Sequence, residues 1–248
     1  MPTFAELLAR GEEVPTAGWD FSWFAGRATE ERPPWGYAEA MRRRAAGARS
    51  VLDVQTGGGE ILATLDPPPF SVVATESWPP NVEQARERLA RMGATVIEVA
   101  DAEPLPFADA SFDLVLSRHP TTVLWSEIAR VLTPGGTYFS QQVGDASVHE
   151  LSVAMLGAFE PSRERSPERA RAAAEGAGLQ VRDLRTARLR MEFYDIAAVV
   201  GFLRKVVWIV PGFTVAGYLP QLKRLHEQIE ADGVFVAHAT RFLIEAGR

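Results

Sequence analysis

The chain has 248 residues, an apolar fraction of 46% and a formal net charge of −6. Its length and apolar content suit one α/β domain with additions, or at most two small domains. The acidic balance disfavours a nucleic acid as the main partner, because phosphate binding draws on clustered Lys and Arg. The absence of cysteine excludes disulfides, a thiolate metal site and covalent catalysis by a thiolate.

No run in the sequence approaches the roughly 18 apolar residues of a membrane span. The N-terminus also lacks the basic and then apolar pattern of a signal peptide. These features predict a cytoplasmic protein with no membrane partner and no metal, and they leave the oligomeric state open.

The N-terminal residues 1–37 are predicted to form a cap segment ahead of a main domain at 38–248. A short amphipathic helix ends near Gly11 and is followed by several aromatic residues. These are Trp19, Phe21, Trp23, Phe24 and Trp35. Aromatic side chains either pack such a segment onto the domain or wall a ligand pocket, and both interpretations remain open.

A strand that runs into three glycines opens the main domain. Residues 51–60 read Val-Leu-Asp-Val-Gln-Thr-Gly-Gly-Gly-Glu, and an apolar helical spacing follows. The pattern predicts a buried strand, a tight turn and the start of a helix. Glycines let the backbone pass close to a ligand, and a helix N-terminus offers it unpaired N–H groups. Alone, the pattern is equally typical of an ordinary strand-to-helix turn.

Three further predicted strands end in polar residues. They are 71–76, ending in Glu76; 94–100, followed by Asp101; and 112–116, followed by Ser117-Arg118-His119. Glu76 lies about twenty residues beyond the glycines, where a nucleotide-binding βαβ unit places the carboxylate for a ribose. Because ligands of open α/β sheets bind at the carboxyl ends of the strands, these residues are expected to share one site.

The last two predicted strands, within 179–191 and at 234–243, are separated by about forty residues. Helical spacing recurs there at 196–203 and at 215–229. Loops of this length usually have a function or a structure of their own. We therefore predict a helical insertion at about 194–232, which either roofs the active edge or packs as a helix pair or dimer contact.

The order of these motifs over residues 45–145 resembles the class I S-adenosylmethionine-dependent methyltransferase family. Further matching stretches are Leu105-Pro106-Phe107, Ser111 to Val115, Glu127 to Leu132 and Pro134-Gly135-Gly136. The resemblance implies a doubly wound, mostly parallel, seven-stranded α/β sheet of Rossmann-like type whose last two strands form an antiparallel pair. It also implies S-adenosylmethionine as the cofactor. The family usually has glycine at the position of Gln55, so this side chain is expected to point toward the cofactor.

The resemblance also implies which residues bind the cofactor. They are Asp53, Gln55, Gly57, Gly58, Gly59, Glu76, Ser77, Trp78, Asp101, Ala102 and Ser117. Asp53 is expected to organise the glycine loop, Glu76 to accept from the ribose hydroxyls and Asp101 to accept from the adenine amino group. For the two aspartates, capping of the next turn is the alternative.

The candidate general base is His119, because it follows the fourth predicted strand at the active edge. Candidate contacts to the methyl acceptor are Phe24, Trp35, Arg118, His149, Trp208 and Phe213. A sulfonium already activates its methyl group, so the protein must mainly align a nucleophile, and a base is needed only if that nucleophile keeps its proton.

We therefore predict a methyltransferase that acts on a small, partly apolar molecule. The stretch Ser117-Arg118-His119-Pro120 lacks the Asn/Asp-Pro-Pro-aromatic motif of enzymes that methylate nucleobase amines, and it lacks the paired acids of metal-dependent members. One alternative is an RNA methyltransferase, which needs a basic path beside the sheet edge. The other is a non-catalytic S-adenosylmethionine-binding module, which Gln55 suggests and which fold alone cannot exclude.

Overall fold

The computed structural model describes residues 2–16 and 20–248, so Trp19 lies outside the described residues. The chain forms two compact units. The helical unit contains residues 1–32, 145–163 and 188–240, and the sheet unit contains residues 33–144, 164–187 and 241–248. The division thus differs from the predicted single boundary at residue 37, since the N-terminal segment belongs to the same unit as the helical insertion.

The described residues form eight strands, one more than the resemblance implies. They are β1 (Ala28–Glu30), β2 (Ser50–Val54), β3 (Ser71–Glu76), β4 (Thr95–Glu98), β5 (Phe112–Arg118), β6 (Leu132–Val143), β7 (Gln180–Phe193) and β8 (Phe235–Gly247). The additional strand is β1, which lies in the predicted cap segment.

Eight α-helices lie in the same described ranges. They are α1 (Phe4–Glu12), α2 (Tyr37–Ala45), α3 (Pro79–Leu89), α4 (Trp125–Val131), α5 (His149–Leu156), α6 (Pro167–Gly176), α7 (Ile196–Lys205) and α8 (Leu219–Asp232). None of them combines the length and the apolar content that crossing a membrane requires.

The sheet unit confirms the predicted doubly wound, mostly parallel architecture. Its strands lie in the order β7-β8-β6-β5-β2-β3-β4. The strand β2 pairs in parallel with β3 on one side and with β5 on the other, whereas β6 and β8 are antiparallel. The sheet therefore grows first to one side of β2, through β3 and β4, and then to the other side, through β5 and β6. Open α/β sheets bind ligands in the crevice at such a switch point.

Successive residues of the central strands point to opposite faces, and each face is covered by helices. Val51 packs in one apolar cluster with Leu89 of α3. The next residue, Leu52, packs in the other cluster with Val115 and with Ile128 of α4. These strands are buried on both faces, which explains why they read as continuous apolar runs in the sequence.

The helix predicted directly after the three glycines does not form. The chain makes turns through residues 57–61 and then only a single 3₁₀ turn at Leu62–Thr64. Pro67, Pro68 and Pro69 follow at once, and a proline run supplies no N–H groups to continue a helix. The glycine loop therefore has no α-helix N-terminus behind it, and its polar partners must come from neighbouring strands.

The two helices predicted for the insertion are present as α7 and α8 in the helical unit. The helix α1 packs against α7 there, and Gly11 permits the close approach because a Cβ at this residue would lie 2.6 Å from the Cβ of Val200. The strand β1 pairs antiparallel with the far end of β7, with Ala28 opposite Phe193. The predicted cap and insertion are thus parts of one packed unit.

Candidate functional site

The candidate site lies in the sheet unit, where β2 and β3 end side by side. Glu76, the last residue of β3, is only 6% exposed. Its Oε2 accepts a hydrogen bond from the Gly57 N–H at 2.7 Å, and its Oε1 accepts from the N–H groups of Ser77 and Trp78, both at 3.1 Å. The carboxylate therefore fixes the glycine loop and the start of the β3–α3 turn together.

The glycines of this loop are needed for its shape. Gly57 and Gly59 have positive φ angles of 65° and 78°. A Cβ at Gly58 would lie 2.4 Å from the Glu60 carboxylate, and one at Gly59 would lie 2.9 Å from Leu89 Cγ. Neither position accepts a larger residue without displacement of its surroundings.

Asp53 lies one strand away, at the end of β2, and is 7% exposed. Its Oδ2 accepts a hydrogen bond of 2.6 Å from the Thr56 hydroxyl, which is a contact between side chains and not a cap on a backbone N–H group. Burial raises the pKa of Asp53 to about 6, and the neighbouring Glu76 charge adds to the rise, whereas Thr56 and Arg118 oppose it. A raised carboxyl pKa in a crevice marks a candidate functional residue.

The Gln55 side chain is held by two hydrogen bonds. Its Oε1 accepts from the Thr121 N–H at 2.6 Å, and its Nε2 donates to the Thr122 carbonyl at 2.8 Å. Its φ angle is +58°, in the left-handed region that favours glycine. The side chain thus connects the glycine loop to the loop after β5.

Asp101 is connected to the same loop. The Thr121 hydroxyl donates a short hydrogen bond to Asp101 Oδ2. The other carboxylate oxygen, Oδ1, is buried and has no hydrogen-bond partner within the described chain. Buried acceptors are normally paired, so this oxygen indicates a missing donor such as a ligand N–H or a water.

A cleft opens between these loops, and Gln55, Thr75, Asp101 and Ser117 are among its polar lining residues. Its walls are largely apolar. The apolar contributors include Val54, Val99, Leu105, Val123, Leu124 and Ile128. An apolar crevice with a few convergent polar groups is the usual form of a small-molecule site.

Ser117 lines this cleft but directs its hydroxyl into the interior. Its Oγ forms hydrogen bonds with the Tyr138 hydroxyl at 2.7 Å and with Ser140 Oγ at 2.8 Å, and its carbonyl accepts from the Tyr37 hydroxyl at 3.1 Å. The hydroxyl cluster fixes the end of β5 at the floor of the cleft. Because its hydroxyl is engaged, Ser117 can contact a ligand only through its backbone or its Cβ, and the predicted contact stays a prediction.

His119 adopts a geometry that argues against the predicted role of general base. Trp35 Nε1 donates a 2.7 Å hydrogen bond to Gln141 Oε1, and the other end of the same amide, Nε2, lies 2.8 Å from His119 Nε2. Because an indole N–H only donates, the amide must face the imidazole with its NH₂ group. His119 Nε2 therefore accepts, and the ring proton belongs on Nδ1.

The electrostatic environment of His119 leads to the same conclusion. Burial lowers its pKa well below the usual range, and the guanidinium groups of Arg118 and Arg241 lower the pKa further. A ring with a depressed pKa, whose lone pair is already engaged, is a weak proton acceptor. Trp35, predicted to contact the acceptor, is 9% exposed and instead orients Gln141.

The remaining predicted acceptor contacts divide between the units. Arg118 lies in the sheet unit close enough to lower the pKa of Asp53. Phe24, His149, Trp208 and Phe213 lie in the helical unit. Phe24 is buried against Trp23, and His149 packs edge-on against Phe159 with ring centroids 4.8 Å apart. Trp208 is 44% exposed and is the most accessible of the four.

Two other predicted cofactor residues, Trp78 and Ala102, are exposed beside the ends of β3 and β4. Within the described ranges, no group of three or more His, Asp or Glu side chains is arranged to hold a metal ion.

Sequence reasoning missed Thr121, Tyr138 and Gln141. Each acts on a predicted residue from about twenty or more positions away in the chain, and no local pattern marks them. Only the rule that residues after a strand meet at the sheet edge pointed toward Thr121.

The buried Asp53 makes the stability of the fold depend on pH. Its folded pKa of about 6 exceeds the ordinary aspartate pKa of 3.8, so the charged form is disfavoured and stability is lost as pH rises through 6. Asp53→Asn should raise the free energy of unfolding by up to about 3 kcal/mol at pH 8, because two pKa units correspond to about that energy. The gain should disappear below about pH 4 in urea titrations.

The matched control is Asp113→Asn. Burial acts to raise the pKa of Asp113, but the N–H groups of Arg49 and Ser50 outweigh it and the net pKa is lowered. That carboxylate stabilises the fold above its unfolded pKa, so its removal should lower the free energy of unfolding at pH 8. Losses in both variants at pH 8 would contradict the assignment of Asp53.

His119 should remain a neutral Nδ1–H imidazole through pH 6.5 to 8, since its pKa is depressed and Nε2 accepts from Gln141. Long-range ¹H–¹⁵N spectra report both the tautomer and the titration midpoint. Trp35→Phe removes the donor that orients Gln141 and should mix the two tautomers. A midpoint at or above 6.5, or an Nε2–H tautomer in the unmodified protein, would refute this geometry.

Comparison with known proteins finds a stretch similar to methyltransferases in the sheet unit. Residues 52–140 match the family model for a methyltransferase domain. Demethylmenaquinone methyltransferase of Deinococcus radiodurans is 34% identical over 111 residues, which cover 41% of this chain and 46% of that protein. Malonyl-acyl carrier protein O-methyltransferase of Geobacter sulfurreducens is 31% identical over 119 residues, which cover 44% of each. The chain thus spans about half the length of the curated relatives it matches.

The fold agrees with solved structures. The crystal structure of geranyl diphosphate C-methyltransferase from Streptomyces coelicolor, which contains S-adenosyl-L-homocysteine, superimposes with a TM-score of 0.53 at 14% identity, and the match covers 85% of this chain and 78% of that one. At this identity the likeness concerns the fold alone. The matched domain, the named relatives and the doubly wound sheet thus make residues 52–140 similar to the class I S-adenosylmethionine-dependent methyltransferases.

Proposed function

We propose that this protein transfers the methyl group of S-adenosylmethionine to a small, partly apolar molecule by direct displacement. The observation that carries the proposal is the buried Asp101 Oδ1, which has no partner and belongs to a cleft with apolar walls. An amino group on a flat, apolar ring system would satisfy both features. The adenine ring of the cofactor carries such an amino group.

Residues at the ends of β2 and β3, next in the chain to the cleft residues Val54 and Thr75, suit the rest of the cofactor. Glu76 supplies carboxylate oxygens suited to ribose hydroxyls, and Asp53 supplies an acceptor for an amino group beside the glycine loop. A bound ammonium group would lower the pKa of Asp53 and stabilise its charged form. Because the charged form of Asp53 is poorly stabilised in the free site, as its raised pKa shows, the site should prefer a cationic ligand.

When bound, S-adenosylmethionine supplies a methyl group already activated by its sulfonium. The protein has to orient the acceptor behind that carbon and exclude water, which can provide roughly 7–11 kcal/mol of the barrier reduction. We assign no base role to His119, because its Nε2 is occupied and its pKa is depressed. The proposal therefore favours an acceptor atom that loses its proton unaided or carries none.

The acceptor is expected to be partly apolar. The named relatives methylate demethylmenaquinone and malonyl-acyl carrier protein, both acceptors other than nucleic acid. In the helical unit, Val207 and Trp208 are 59% and 44% exposed, an unusual position for side chains of their size. We assign contact with the acceptor to this segment.

Cofactor binding tests the first half of the proposal. Glu76→Gln keeps the shape of the side chain and one acceptor oxygen but removes the charge, and it should weaken the binding of S-adenosylhomocysteine about 10- to 100-fold in calorimetry. The control is Glu98→Gln, since Glu98 ends the neighbouring strand opposite Glu76 and is exposed. Equal affinity in folded Glu76→Gln and in the unmodified protein would remove Glu76 from the site.

Methyl transfer tests the second half. Protein incubated with S-adenosylmethionine carrying a labelled methyl group should label a small molecule in a metabolite extract. Trp208→Ala should slow the labelling about tenfold, as loss of a buried aromatic contact does, without changing the affinity for S-adenosylhomocysteine. Phe70→Ala is the control, because Phe70 is 98% exposed in a loop of the sheet unit. Label appearing only in RNA would support the RNA methyltransferase alternative instead.

A further inference from the structure

We propose that Gln55 and Thr121 are positioning residues that set the orientation of the Asp101 carboxylate and thereby make the cleft select a ring amino group over a ring carbonyl. The inference rests on the proposed function, because it concerns the ring system of the same cofactor. It assigns to Gln55 a role different from the direct cofactor contact predicted for it.

The orientation of the Gln55 amide is fixed by the backbone. The Thr121 N–H can only donate, so the group 2.6 Å from it must be Oε1, and the Thr122 carbonyl can only accept, so the group 2.8 Å from it must be Nε2. No flipped amide satisfies both contacts. Gln55 therefore fixes the backbone of residues 121 and 122. We call these two hydrogen bonds the clamp.

The clamp determines where the Thr121 hydroxyl donates. Thr121 Oγ1 lies 3.1 Å from Gln55 Oε1 and still closer to Asp101 Oδ2. A hydroxyl has one proton, and the shorter, charge-assisted bond to the carboxylate takes it. Asp101 Oδ2 thereby accepts the Thr121 proton, and this hydrogen bond holds the carboxylate in one rotamer.

The consequence appears at the other oxygen. Asp101 Oδ1 is buried without a partner, in a carboxylate that cannot rotate to relieve it while Thr121 holds Oδ2. A donor on the ligand would pair with Oδ1, whereas a ligand carbonyl at the same place would set its own lone pairs against those of Oδ1. Sites built to pair a buried polar group discriminate most strongly against analogues that lack the partner.

The backbone of Gln55 supports a positioning role rather than a purely stabilising one. Its φ of +58° is strained in a residue with a Cβ, and glycine would avoid that strain. The two amide contacts to the loop after β5 are what the strained residue provides.

The test is the ratio of affinities for S-adenosylhomocysteine and S-inosylhomocysteine, which carries a ring carbonyl in place of the amino group, measured by calorimetry. The unmodified protein should prefer the adenine form about 10- to 100-fold. Thr121→Val, which removes only the hydroxyl, should reduce that preference about three- to tenfold through lost orientation of the carboxylate. Thr121→Ser restores the hydroxyl and should recover the preference.

Two further variants separate positioning from folding. Gln55→Gly removes the clamp but relieves the backbone strain, so the preference should fall while the thermal midpoint is unchanged or higher. Thr95→Val makes the same exchange at an exposed residue of β4 and should leave both quantities unchanged. If Thr121→Val fails to fold, Gln55→Gly and Thr95→Val still decide the question.

The outcomes distinguish this inference from the function on which it rests. A protein that binds S-adenosylhomocysteine, but whose variants weaken both ligands equally and keep the ratio, overturns the positioning role and leaves the proposed function intact. An unmodified protein that binds neither ligand overturns the proposed function and this inference with it. A fall in the ratio for Thr121→Val and Gln55→Gly with recovery in Thr121→Ser supports the inference.

Discussion

The glycine loop keeps its shape because a carboxylate of the neighbouring strand accepts hydrogen bonds from it. No α-helix follows the loop, so its N–H groups lack the helical setting that usually holds such turns. Glu76 replaces that setting by accepting from Gly57 and from the first two residues of its own turn. The end of β3 therefore positions both the carboxylate that we propose as the ribose acceptor and the glycine loop.

Two buried titratable groups beside this loop respond to pH in opposite directions. Asp53 loses stability as pH rises through about 6, because its charged form is poorly solvated. His119 has a lowered pKa, so its neutral form stabilises the fold above the unfolded pKa and that contribution is lost as pH falls. Between the ordinary pKa values of the two groups their contributions to stability change in opposite directions. A cationic ligand would reduce the Asp53 contribution to this pH dependence by favouring its charged form.

The sequence predicted the sheet and the residues at its carboxyl edge because both follow from short-range patterns. Apolar runs mark buried parallel strands, and polar residues directly after them mark the ligand edge. The predicted helix after the glycines failed because Pro67 to Pro69 leave too few residues between two breakers. The strand β1 was missed because three residues carry no periodicity and depend on β7 for their pairing. The link from Trp35 through Gln141 to His119 joins residues 22 to 106 positions apart, which no local pattern records.

Gln55 shows most clearly how such distant contacts change the meaning of a motif. Judged by sequence, it is a departure from glycine that suggests a damaged cofactor loop and hence a non-catalytic module. In the structure, the loop retains Gly57 and Gly59 in their left-handed conformations, so the cradle itself is intact. The strain at Gln55 is offset by two hydrogen bonds to the loop after β5, which are worth roughly 1 kcal/mol each. The left-handed conformation costs a residue with a Cβ roughly 1–2 kcal/mol, which is close to what the two hydrogen bonds contribute. The substitution is therefore close to neutral for stability, and the effect that we propose for it is on the geometry of the cleft. The departure from the family pattern is therefore an argument for a tuned site and removes the one sequence feature that favoured a protein without activity.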